Sequence, residues 1–460
     1  MVPRYRTTPA VEGDIKSSSP GDASRGADDP RRQKEARRLQ AKQSEWALIA
    51  RNEFAPRASG AVNTARSPLA LVKFRSPAAY RLQIRSHSCD IWFPKAITPL
   101  LGSGFTYMVD LVPQSPALAL SLDAASLLQV GQEDGDIRLL ATGVKLYGEA
   151  LRYLRGEIAL RPSHENDGAV AAILNLQICD FFTSLSCHST WQAHADGLSS
   201  LMQTRPARDM PIGLRHLMDA EFHLFLFWHG LLARKRIDLL QPLDASALNS
   251  IAVRVPELLE ECDVWLATGS IPEGLLNNLS GRLQAIEGEL TTWAANWNRD
   301  IRDPPYSLVP ASKLPYLTKT AANETWELLF DFKTLENAID HVVCTAALMS
   351  IRQARMDTNA LTSYNPSARR GLEEIHASGR TMSKITECAD SLCMSLPFLC
   401  KPEHGKYGVV ISAGPLCLAT KWYMSRHSRR SAAKKLDWCR QAAQCIRGSG
   451  IQTIDIANKS

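Results

Sequence analysis

The chain has 460 residues and eleven cysteines, but nowhere do two cysteines stand two residues apart. Zinc ribbons, knuckles and Cys-rich clusters are built on Cys-x2-Cys turns, so these 460 residues hold no such motif. Cys393-x6-Cys400 shows one spacing found in metal clusters but has no partner pair. Cys388, Cys393 and Cys400 therefore read as core or surface thiols. Scattered cysteines in a long chain fit a reducing compartment. Enzyme signatures are missing too. There is no Gly-x-Ser-x-Gly elbow, no Gly-x4-Gly-Lys-Ser/Thr loop and no Gly-x-Gly-x-x-Gly turn. His164-Glu165 runs into Asn166 and Asp167, so it is not His-Glu-x-x-His. The one Asp-Asp pair, Asp28-Asp29, precedes Pro30 in an irregular segment. A metal-dependent lyase would need such a pair on a helix facing a cavity. Cys187 and His188 are adjacent in sequence, and neighbouring helical residues point about 100° apart rather than at each other. The expectation is a protein that is not an enzyme, with no catalytic, cofactor-binding or metal residues.

Long apolar runs are also lacking. The longest near the middle, Phe222 to Ala233, is interrupted by His223 and His229. It falls well short of the roughly 18 residues that a membrane span needs. The first residues, Met-Val-Pro-Arg-Tyr-Arg, contain no apolar signal region. These features predict a soluble intracellular protein with no membrane partner. No Val/Ile/Thr alternation is convincing as a strand, and no fixed-period repeat is present.

What the chain does have is unevenly placed charge. Residues 1–90 hold 17 Lys+Arg against 9 Asp+Glu, while the rest holds 36 against 38. Residues 1 to about 30 mix Pro, Gly, Ser, Asp and Arg without periodicity and are expected to stay disordered. The basic cluster that follows runs into a helical pattern reaching Trp46, Ala47 and Ile49, and residues 55–85 are again loop-like, so the arm 1–85 is mostly disordered. Within this arm, Arg31, Arg32, Lys34, Arg37 and Arg38 form a nuclear-localisation candidate able to bind nucleic acid non-specifically. A plain solvated tail is the competing reading.

The remaining residues read as helices. Between Tyr147 and Met202 lie three apolar stripes with i, i+3, i+4, i+7 spacing. The first is Leu146, Tyr147, Ala150, Leu151, Leu154 and Ile158. The second is Val170, Ile173, Leu174, Ile178, Phe181, Phe182 and Leu185. The third is Trp191, His194, Ala195, Leu198, Leu201 and Met202. Three stripes in succession need mutual cover, so the fold class is all-α, a multi-helix domain behind a disordered basic arm. Further helices are predicted at 117–130, 214–236, 321–356, 369–393 and 434–447. Leu283, Ile286, Leu290, Trp293 and Trp297 mark another, too short to be a coiled-coil seam and read as a core helix. His194 reads first as a core histidine bonded to a neighbour, and otherwise as a ligand contact in a regulatory pocket. Gly197 is expected to let a neighbouring helix approach. The aromatic helix 222–228 reads as core before effector pocket.

Several motifs in this order carry a family resemblance. They are Tyr147-Gly148-Glu149-Ala150-Leu151, Leu154-Arg155, Pro162, and Trp191-x-x-His194-x-x-Gly197. Near the C-terminus come Gly414-Pro415-Leu416-x-x-Ala419, Trp438 and Gly450-Ile451. The chain resembles the regulatory domain of fungal zinc-cluster transcription factors, over about residues 88–458. The stretch departs from the family pattern at Leu201-Met202, followed by Arg205-Pro206. The family's DNA reader is a six-cysteine cluster binding two zinc ions. No such pattern occurs here, and no cysteine precedes Cys89.

The resemblance thus implies a nuclear transcription regulator without its own zinc cluster. It would act through another regulator, as a homodimer, or by sensing a small-molecule effector. Its contact with nucleic acid would be indirect or non-specific. Two alternatives stand beside this. One is a truncated or mis-bounded zinc-cluster factor. The other is a helical interaction scaffold with no transcriptional role. The domain reading is an arm at 1–85 and a helical regulatory body at 86–458.

Overall fold

A computed structural model describes residues 77–92, 107–160, 166–182, most of 193–201, 210–218, 223–236, 247–268, 272–299, 302–317, 325–362, 372–426 and 430–451. The chain divides into two units, 1–53 and 54–460, and every described residue belongs to the second. The basic cluster at 31–38, Pro162 and Trp191 lie outside the described residues.

The described residues are overwhelmingly helical. Helix α1 spans Pro77–Trp92, α2 Pro116–Asp134, α3 Ile137–Leu160 and α4 Asp167–Phe182. Local chemistry sets the ends of α2. Ser115 caps it by accepting from the Leu118 N–H at 3.1 Å, and Pro116 fills the first turn, where its missing N–H costs nothing. Gly135 ends it in the left-handed region, at φ 67°, which a side chain would resist. The Glu157 carboxylate, from α3, accepts from the Ala117 N–H at 2.9 Å and the Ser115 hydroxyl at 2.7 Å. Asn166 caps α4 through the Ala169 N–H at 3.0 Å.

Helices α2, α3 and α4 pack together as one layered unit. Gly143 lets α3 approach α2 closely, because a Cβ there would stand 2.8 Å from Leu128. Helix α4 is buried from Gly168 to Phe182, with no solvent face. It joins two apolar cores. Its first half packs with Met108, Leu118, Leu154 and Leu214, and its last turns with Trp92, Leu128 and Phe227.

The chain continues through α5 (Ile212–Leu217), α6 (His223–Ala233), α7 (Ala247–Ala252), α8 (Val255–Thr268) and α9 (Glu273–Trp297). Leu279, Leu283, Ile286 and Leu290 of α9 are buried in the larger core, so this stripe is intramolecular. The last helices are α10 (Leu335–Thr362), α11 (Leu372–Leu399), α12 (Gly405–Met424) and α13 (Arg430–Gly448).

The structure corrects four sequence expectations. Helix α1 begins at Pro77, inside a stretch read as loop. The single helix expected at 214–236 is two described helices, and α6 stops at Ala233, where Arg234 takes φ 50°. The helix expected from 321 starts only at Leu335. Before it, β2 (Leu328–Phe332) pairs antiparallel with β1 (Tyr306–Pro310), joining Leu308 to Phe330 in register. Finally, α11 carries Pro397 within its last turn instead of ending before it. The strand pair presents Tyr306, Phe330 and Phe332 to His341 of α10, with ring centroids 4.9–5.8 Å away.

Candidate functional site

The three stripes of the central stretch converge on one polar cluster inside an apolar wall. Helix α4 has few polar side chains in its buried length: Asn175, Gln177 and Asp180. Asp180 sits in its last turn, facing α3 and the helical residues around His194. The Tyr147 hydroxyl of α3 donates to Asp180 Oδ1 at 3.2 Å and lies 2.9 Å from His194 Nε2. His194 Nε2 is 3.7 Å from Asp180 Oδ2, and the Tyr147 and His194 rings meet edge-on. Cys179, beside Asp180, is fully buried and points its thiol at the Ser121 carbonyl.

Burial governs the protonation of this cluster. Loss of water disfavours each charged form. It raises the Asp180 carboxyl from 3.8 to about 7, partly offset by the Tyr147 hydrogen bond. It lowers the His194 imidazole from 6.5 to about 4. The Tyr147 phenol is pushed up by burial and then by the Asp180 charge, and the Cys179 thiol is raised well above its ordinary value by burial. At neutral pH the histidine is therefore neutral, and the aspartate stands near its midpoint. The cluster can hold or release one proton, and it ties three helices together. It offers no activated nucleophile, because Cys179 and Tyr147 are both held protonated.

The other motif residues divide sharply. Ala150 and Leu154 are buried against α2 and α4, with Leu146 beside them. Gly148, Leu151 and Ile158 face outward. The first stripe is therefore split, and Leu151 and Ile158 do not belong to the core. Gly197 is exposed, with open space where a Cβ would stand, so it does not admit a neighbouring helix. Pro415 and Leu416 are buried within α12, and a Cβ on Gly414 would stand 2.4 Å from the Trp228 ring. Trp438 is almost fully buried, edge-on to Trp326 at 6.0 Å. Trp228 with Leu224, Leu226 and Phe227 belongs to the cores.

His194 is thus a partly buried histidine whose ring nitrogen meets the Tyr147 hydroxyl. The partner missed in sequence is Asp180. Its only signal was a lone carboxylate in the apolar run Ile173 to Phe182.

Residues 87–247 match the family model of the fungal specific transcription factor domain. The matched segment takes in the Tyr147–Asp180–His194 cluster and all of α2, α3 and α4. The match suggests a transcription regulator. The second stretch of resemblance, 408–457, lies beyond the matched residues of the domain. No curated protein and no solved structure matches the chain. Among the described residues, no helix is long and apolar enough to cross a membrane, and no group of three or more His, Cys, Asp or Glu side chains is placed to hold a metal ion.

Proposed function

We propose that the chain is a nuclear transcription regulator whose helical body works through a partner protein or an effector. The observation that carries this is the match of residues 87–247 to the fungal specific transcription factor domain. The basic cluster Arg31, Arg32, Lys34, Arg37 and Arg38 supports nuclear import, since import receptors and phosphates both read clustered cations. The 460 residues contain no six-cysteine cluster, so sequence-specific DNA reading falls to a partner. The arm adds only salt-sensitive phosphate contact.

A fluorescent fusion of the full chain tests this, alongside a variant with Arg31, Arg32, Arg37 and Arg38 replaced by alanine. Nuclear accumulation that falls in the variant supports the reading. Exclusion from the nucleus in both forms overturns it. A second reading is that these residues are the regulatory part of a longer zinc-cluster factor, favoured because the match covers a domain that resembles one accompanying such clusters. An in-frame Cys-x2-Cys-x6-Cys encoded upstream of Met1 would decide for it.

A further inference from the structure

Helix α3 carries a second apolar line that the core does not use. Ile137, Val144, Leu151 and Ile158 recur every seven residues and are 78%, 39%, 37% and 39% exposed. Ala141, Gly148 and Arg155 fall between them, also exposed. Successive spacings of four and three run as a seam along one face for three repeats, with one large apolar side chain in each repeat and Ala141, Gly148 or Arg155 at the position between. The buried face, Leu139, Gly143, Leu146, Ala150 and Leu154, is the opposite one. Gly148 has open space around its Cβ position, so another helix can lie close at the seam's midpoint. Tyr153 and Leu160 are exposed as well but lie off this line.

Charge selects the occupant. Arg138, Lys145 and Arg152 also recur every seven residues, each following a seam residue, and all are exposed. Arg155 adds a fourth cation within the seam. The nearby carboxylates do little to neutralise them. Asp136 stands 3.7 Å from Arg138 and Glu149 3.9 Å from Arg152, while the two arginine side chains are 94% and 76% exposed. Glu157 is engaged with Ser115 and Ala117. Flanking charges in a coiled coil set partner choice. A second copy fits poorly. Paired antiparallel, the two basic edges would face each other. Paired in parallel, each would face the Leu140 and Tyr147 edge, which brings no carboxylate to the seam.

We propose that the outer face of α3 docks an acidic amphipathic helix of a partner protein, pairing along the Ile137–Ile158 seam with carboxylates against Arg138, Lys145 and Arg152. This deepens the partner-dependent reading above and rests on it for its cellular meaning. The test uses purified protein, so its failure leaves the nuclear assignment standing.

The probe is a synthetic four-heptad peptide with Ile and Leu in the seam and Glu at the flanks, followed by fluorescence anisotropy with the full chain. A matched peptide with Lys at the flanks and a peptide of residues 31–49 serve as comparisons. The Glu peptide is expected to bind at least tenfold tighter than the Lys peptide, and to weaken as salt rises. Leu151→Glu should reduce binding at least tenfold. The triple variant Arg138→Glu, Lys145→Glu, Arg152→Glu alters only exposed side chains and should reverse the preference toward the Lys peptide. Unchanged thermal melting verifies that both variants fold. Equal binding of both peptides, absence of binding, an unreversed preference, or tighter binding of the 31–49 peptide would each overturn the proposal. So would concentration-dependent dimerisation that Leu151→Glu abolishes.

Discussion

Replacing either His194 or Asp180 should tilt the protein's stability against pH, in opposite directions. In the folded protein between about pH 4 and 6.5, Asp180 holds its proton and His194 holds none. In the unfolded chain the aspartate is ionised and the imidazole charged. Both states bind one proton across the pair, so the pair adds no slope in the intact protein. Asp180→Asn leaves the histidine alone. A group whose folded value lies below its unfolded one contributes stability above the unfolded value and loses it as pH falls. Stability of that variant, relative to the parent, should thus drop between pH 6.5 and 4. At about 1.4 kcal/mol per pH unit the loss is ~3 kcal/mol. His194→Gln leaves the aspartate alone. Its folded value is raised, so its contribution is full at low pH and is lost as pH rises from 3.8 to about 7. Relative to the parent, in which the histidine offsets it between about pH 4 and 6.5, the loss over that span is ~3 kcal/mol by the same factor. Urea unfolding followed by tryptophan fluorescence, at several values from pH 4.5 to 7.5, gives the difference from the parent at each pH. Titrations elsewhere in the chain cancel in that difference. Curves that run parallel to the parent's, or two variants that slope the same way, would refute the account of the cluster as a proton-balanced neutral pair.

Two glycines should respond oppositely to alanine. Gly148→Ala meets open space on an exposed helix face and should stabilise by about 0.5–1 kcal/mol. Gly414→Ala drives a methyl into the Trp228 ring and should cost about 1–3 kcal/mol. Thermal melts that move both variants the same way would contradict the packing between α6 and α12. Ser115→Ala removes both the α2 cap and the hydroxyl held by Glu157, and should cost about 1–2 kcal/mol. An unchanged denaturation midpoint would show that the cap carries no weight.

Much of the fold was legible because its signals are local. The helix expected at 117–130 is α2, and the Ser115 cap and Gly135 set its full length at Pro116–Asp134. The apolar run from Val170 to Phe182 is a helix, as its spacing says. The strand pair was not legible. Leu328 to Phe332 is a short, nearly continuous apolar run, which periodicity cannot tell from a buried helix turn. It merged with the helical pattern of α10, and only pairing with Tyr306–Pro310 makes it a strand.

The site divides in the same way. Tyr147 and His194 stood out by their place in an ordered motif, but Asp180 did not. Sequence placed these three residues on helices; their meeting depended on how α3, α4 and the segment around His194 cross. The two faces of α3 show the limit most directly. Its apolar residues were readable one by one, and so was their helical spacing. Periodicity marks a line of apolar side chains without saying what covers it. Packing against α2 and α4 buried the line through Leu146, Ala150 and Leu154 and left the line through Val144 and Leu151 facing out. That choice belongs to tertiary structure, because burial is a property of neighbours that a helix does not itself contain.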